Sequence, residues 1–173
     1  MVGLGQFNFK TYVPDDNFET YLEINGMGDG IQLNDSINTL SIEMLMHLNV
    51  SNQNISDLTG IEDFIGLVSL ECEDNSLTFL DLSNNIYLQA FTCINNLLTS
   101  LDVSNNTALE GLYCNNNQLT SLDVSNNTAL NYLHCNNNQL TSLDVSNNTA
   151  LTNLACHSNQ ITSLDVSNNS LIV

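Results

Sequence analysis

Five cysteines share one spacing. Cys72, Cys93, Cys114, Cys135 and Cys156 each fall 21 residues after the one before. The text around them recurs almost letter for letter: LEGLYCNNNQLTSLDVSNNTA from Leu109, then LNYLHCNNNQLTSLDVSNNTA from Leu130. A fixed period of this length is the mark of a solenoid, whose turns bury their apolar side only by stacking on one another. Stacked turns build an extended surface rather than a deep pocket. Binding is therefore expected ahead of catalysis.

The copy at Leu109 reads L-x-x-L-x-C-x-x-N-x-L through Leu109, Leu112, Cys114, Asn117 and Leu119. Copies open at Leu45, Leu67, Leu88, Leu109, Leu130 and Leu151, which makes about six repeats, and Leu171-Ile172-Val173 begins a seventh that stops. The second half of each copy carries the pattern again: Leu119, Leu122, Val124 and Asn127. By alternation the leucines, the cysteine and Val124 point inward. Asn117 and Asn127 fall at corners, where a carboxamide can satisfy backbone groups otherwise buried unpaired and where Asn tolerates left-handed backbone. The first copy carries Val50 and Gln53 in place of Cys and Asn.

Over residues 45–171 this pattern resembles the leucine-rich repeat, LxxLxLxxNxL, and its nested form resembles a bacterial subclass of short repeats. The resemblance implies a right-handed solenoid. With both halves extended, the spacings on the two sides nearly match. The expected fold is a β-rich leucine-rich repeat solenoid with parallel strands on both sides, low curvature and a short helical N-terminal cap. Residues 1–44 are assigned to the cap and 45–173 to the solenoid. In YVPDDNFETYLEINGMGDG, Pro14, Asp15 and Asp16 mark a helix start, Phe18 and Leu22 lie four apart, and Gly26 marks the end. The same segment resembles the start of secreted leucine-rich repeat proteins of Bacteroidetes-type bacteria, which implies a secreted or cell-surface protein. The opening MVGLGQFNFK shows no signal peptide.

An odd number of cysteines at one inward position argues against disulfides. Side chains on stacked strands run parallel rather than facing each other, so five small buried hydrophobes are expected. The formal net charge is −18, with one basic residue, Lys10, against 19 acidic ones. That excludes nucleic acid, whose phosphates need Lys and Arg, and anionic membranes. No apolar run reaches the ~20 residues that span a bilayer. An apolar rung left open at Leu171–Val173 predicts self-association through that end, or a natural chain that continues past it.

Comparing copies shows which surface is free to differ. The outward positions of the second half are held: Ser100, Ser121, Ser142 and Ser163, Asp81, Asp102, Asp123, Asp144 and Asp165, and the serine two residues after each aspartate. Those of the first half vary. One series runs His47, Ser69, Ala90, Gly111, Tyr132, Asn153, and the next Asn49, Glu71, Thr92, Tyr113, His134, Ala155. Tyr113, Tyr132, His134 and His157 form the expected contact patch, with Glu71 and Glu73 as an acidic flank, because Tyr is enriched at binding hot spots. The expected ligand is a protein or glycan. The alternative is a structural or lattice-binding solenoid using the held Ser-Asp-Ser face.

No metal site is expected. Calcium is the ion that would suit the ladder, through Asp102, Asp123 and Asp144; Asp29 with Asn34 and Asp35 lacks the spacing of a calcium loop. GxSxG, HExxH, Walker A and GxGxxG are all absent, so no enzyme is expected. Stacked like charges predict aspartate pKa values raised by folding, unless the serines donate enough hydrogen bonds to reverse the sign.

Overall fold

The computed structural model describes residues 9–172. The segment 1–8 and Val173, on which parts of the cap and the last rung were assigned, lie outside it. The chain folds as a leucine-rich repeat solenoid behind a small cap. In the cap, β1 (Lys10–Tyr12) and β2 (Ser36–Asn38) pair antiparallel, and α1 (Asp16–Ile24) lies between them in sequence. The helix starts where the sequence signals it. The Asp15 carboxylate accepts the N–H groups of Asn17 and Phe18, both at 3.0 Å. Gly26, at φ +74°, supplies the left-handed turn that ends it. Phe18 and Leu22 are fully buried on one face, and the Phe18 ring stacks on Phe64 of the first rung at 6.1 Å. The antiparallel pair went unread in the sequence, since three-residue strands leave too little alternation to register.

The rungs build one six-stranded parallel sheet: β3 (His47–Asn49), β4 (Ser69–Glu71), β5 (Ala90–Thr92), β6 (Gly111–Tyr113), β7 (Tyr132–His134) and β8 (Asn153–Ala155). The register is strictly one repeat, so that Leu70, Phe91, Leu112 and Leu133 meet in a row behind the sheet. Cys72, Cys93, Cys114 and Cys135 are buried free thiols beside that row, and Cys156 is half-buried. Burial pushes the Cys135 thiol up to about 12, so these groups stay protonated and inert.

Strands were expected on both sides of the solenoid and pair on one. On the other side the rungs share a backbone bond near the corner, as from Gln118 N–H to Leu98 O, and beyond it the turn donors are spent internally. Asn106 N–H bonds Val103 O, Leu109 N–H bonds Asn106 O, and Ser104 N–H bonds the Asp102 carboxylate. Donors used within a rung cannot also pair with the next one. Asparagine side chains make that link instead: Asn106 Nδ2 donates to Leu82 O and Asn85 O of the preceding rung. The first rung has no rung before it. Its equivalent position is Phe64, which packs on the cap helix. The left-handed corner expected at Asn117 is displaced by one residue, to Asp74, Asn95, Asn116, Asn137 and Ser158.

Candidate functional site

The outward residues of β3–β8 form the surface that differs from rung to rung. The register sets Gly111 beside Tyr132 and Tyr113 beside His134. The Tyr113 and His134 rings meet edge to face with centroids 5.0 Å apart. His134 Nε2 is 2.8 Å from Asn153 Oδ1, which fixes its ring from the other side. Partial burial, and the neighbouring Tyr132 phenol after it, raise the Tyr113 pKa, so it stays a neutral donor. Tyr132 is exposed at 46%. Three of the expected contact residues thus form one aromatic patch.

The other three stand apart from it. Glu71 lies on β4, two strands from Tyr113, and accepts a hydrogen bond from Asn49 Nδ2 at 2.7 Å. Glu73 follows β4 and reaches the Thr92 hydroxyl at 3.4 Å. His157 lies beyond β8, two residues past the partner of His134, with Nδ1 3.2 Å from the Ser158 hydroxyl. Along the first outward position of the strands runs an open trough of about 460 Å³, bordered by His47, Ala90, Glu110, Gly111, Tyr113 and Tyr132. Gly111, Ala90 and Glu110 are missing from the patch expected from sequence. Gly111 stood in the varying series, and its lack of a side chain was the available signal.

The held face behaves differently from the simplest expectation. Each ladder aspartate accepts the N–H of the serine two residues on, at 2.9 Å. The serine hydroxyl and this N–H hold the Asp102 carboxyl below its ordinary pKa, outweighing repulsion from Asp123, and the other four shift the same way. The expectation of raised values is therefore corrected. Solvent weakens the repulsion on this exposed ladder, whereas the hydrogen bonds are local.

A lowered folded pKa means that the unfolded state binds more protons. The ladder then supports folding above the ordinary aspartate range, and that support is lost as pH falls through the folded values. Ser104→Ala should raise the Asp102 midpoint in an NMR titration of the side-chain carboxyls. A wild-type midpoint above that of an unfolded reference peptide would refute this account. Among the described residues, no three His, Cys, Asp or Glu side chains converge as a metal cage. Around the cap, the Glu23 carboxylate already accepts the N–H groups of Asp29 and Gly30, and Asp29 pairs with Lys10. One departure on the held face also escaped the sequence reading: Phe79, 67% exposed, stands where later rungs carry serine.

Comparison with known proteins follows the same lines. The family model for leucine-rich repeats (two copies) matches residues 107–148. Internalin J of Listeria monocytogenes serotype 4b (strain F2365) is 45% identical over 78 residues, 45% of this chain and 8% of that protein. The solved functional domain of internalin J from Listeria monocytogenes, described as including a cysteine ladder, superposes with a TM-score of 0.85 at 41% identity, over 95% of this chain and 37% of that one. The internalin InlF from Listeria monocytogenes str. 4b F2365 gives 0.72 at 30% identity, over 74% of this chain and 39% of that one. The chain thus spans well under half the length of these relatives. The chain is a leucine-rich repeat solenoid that closely resembles the repeat domains of Listeria internalins rather than a specifically Bacteroidetes-type protein. No helix of the described residues is long and apolar enough to cross a membrane.

Proposed function

We propose that this chain is an extracellular or cell-surface binding and adhesion module that recognises a protein or glycan through the outward face of β3–β8. One observation carries the reading. Within a single chain, the same fold positions are held on one side and varied on the other, and the varied side presents Tyr113, Tyr132 and His134 as one patch. The held positions act as an internal control: the fold does not require a tyrosine or histidine where other rungs carry Ser69, Ala90 or Asn153. Likeness to the internalins supports the same reading. The alternative, cation or lattice binding by the aspartate face, gains nothing from a ladder whose carboxylates are already engaged by serines.

The test is a pull-down from material of the native environment, followed by affinity measurement on the captured ligand. Replacing Tyr113, Tyr132 and His134 together by alanine should weaken binding by ~30-fold or more, the scale of a lost hot spot of about 2 kcal/mol. Thermal stability should stay near wild type, because these side chains lie outside the core. Undiminished binding by the triple variant would overturn the assignment of the face.

A further inference from the structure

The first outward position shrinks along the sheet from His47 through Ser69 and Ala90 to Gly111, then jumps to Tyr132 on the next strand. The backbone does not ask for glycine there. Left-handed φ occurs at Gly26, Gly30 and Gly60 and not at Gly111, which lies inside a strand. A strand glycine without that need is a net cost against alanine and often marks a close approach by another group. Here the approaching group is visible. A Cβ at position 111 would come within 3.1 Å of Tyr113 Cε2, so the missing side chain lets the Tyr113 ring fold back over the sheet. The result is a trough with a small-residue floor, an aromatic wall at Tyr132, and the Tyr113–His134 pair beside it.

Charge narrows the occupant. Glu110 borders the trough, Glu71 lies on the same sheet at the far end of β4 beside Thr92, and the chain as a whole carries −18. The single lysine is paired with Asp29. A second copy of the chain would bring the same charge and be repelled.

We propose that Gly111 is the specificity-determining residue of this face, and that the trough takes a large apolar side chain from a basic protein segment. Its neighbouring Lys or Arg would lie toward Glu71 and Glu110. This rests on the binding reading given above and adds the class of partner and the residue that selects it. The trough's volume of about 460 Å³ admits an aromatic or branched aliphatic side chain with room for its backbone. Glu110 at the edge of the trough, within the field of a strongly acidic chain, favours a cationic flank over an uncharged one.

The experiment is selection from a random peptide display library on the immobilised wild-type chain, then affinity measurement with the synthesised consensus peptide. The expected consensus joins a large apolar residue to Lys or Arg. Gly111→Val should weaken that peptide at least 10-fold while the chain stays folded with a modestly lower melting midpoint, since the new side chain displaces the Tyr113 ring and the strand preference of valine offsets part of that strain. Glu71→Lys with Glu110→Lys should weaken it and flatten its salt dependence. Ser121→Val, on the other side of the solenoid, should change nothing. Failure to enrich peptides, a consensus lacking either element, or full binding by Gly111→Val would each overturn the proposal. The broader reading is judged separately by the Tyr113/Tyr132/His134 triple-alanine variant. If that variant loses binding while Gly111→Val keeps it, or if a glycan array rather than the peptides gives the triple-sensitive signal, the face stands and this partner class falls. If neither variant affects the peptide, both fall.

Discussion

Asp15→Ala should lower stability by about 3–5 kcal/mol, an exceptional loss for one residue that is not hydrophobic core. Its carboxylate ties three things together. One oxygen caps α1 through the Asn17 and Phe18 N–H groups; the other accepts the Ser56 N–H and hydroxyl, both at 2.8 Å, and the Asp57 N–H at 3.2 Å. The cap alone is worth about 0.5–2 kcal/mol. The remaining donors belong to Ser56 and Asp57, exposed residues where helix meets first rung, and each hydrogen bond to a charged carboxylate is worth about 1.5–3 kcal/mol, less where water replaces it. Burial by itself would raise the Asp15 pKa, but the hydrogen bonds from Ser56, Phe18 and Asp57 together outweigh it and the folded value is lowered. The sign follows. The stabilisation is present above the ordinary aspartate pKa and is lost as pH falls through the folded value. Urea melts of wild type and Asp15→Ala should therefore differ widely at neutral pH and converge in acid. Hydrogen exchange should show α1 released first, since the rungs are coupled only to their neighbours. Asp15→Asn, with one good acceptor, should fall between. A neutral-pH difference below about 1 kcal/mol, or one unchanged by acid, would sink this account.

The solenoid was legible because one rule is written many times over. Leu112, Cys114, Asn117, Leu119, Leu122 and Val124 each recur at the same spacing, and the helix at Asp16–Ile24 was bracketed by Asp15 and Gly26. The second sheet was not legible as absent. Its residues alternate like a strand, and the fact that Asn106 and Leu109 spend their N–H groups on turns is a matter of geometry that the alternation does not carry. The site was half legible for a related reason. Comparing copies finds side chains that are present, such as Tyr113 and His134. The trough at Gly111 is a side chain withheld, and its meaning depends on a ring from two residues away folding over it. The aspartate ladder shows the same limit in energetic form. Charge spacing is readable from sequence, but whether a serine hydroxyl reaches the carboxylate is not, and here the local hydrogen bond decides the sign.

The two asparagine ladders look alike in sequence, yet Asn117→Ala should cost about 3–4 kcal/mol and Asn127→Ala only about 1–2 kcal/mol. Both side chains are buried and both bridge to the rung before. Asn117 Nδ2 donates to Cys93 O at 2.9 Å and to Cys114 O at 3.2 Å, while its Oδ1 accepts the Leu98 N–H at 3.0 Å. Asn127 Nδ2 donates to Val103 O and Asn106 O, both at 2.9 Å, but its buried Oδ1 has no protein partner. The carbonyls are insured in both cases. Cys93 O also receives Asn96 Nδ2, Cys114 O also receives Asn138 Nδ2, and Val103 O also receives the Asn106 N–H. Losing one donor of two leaves a carbonyl still bonded. The Leu98 N–H has no such reserve, and a buried orphan donor is the costly case. Truncation at 127 removes an unpaired buried oxygen along with the two good bonds, which offsets part of the loss. Asn127→Asp should be worse than Asn127→Ala, because it sets acceptors against two carbonyls. Urea melts of the three variants give the ranking directly. Equal costs at 117 and 127 would mean that the carbonyl bonds, rather than the Leu98 donor, hold the rungs together, and the same change at Asn138 against Asn148 should then fail to separate as well.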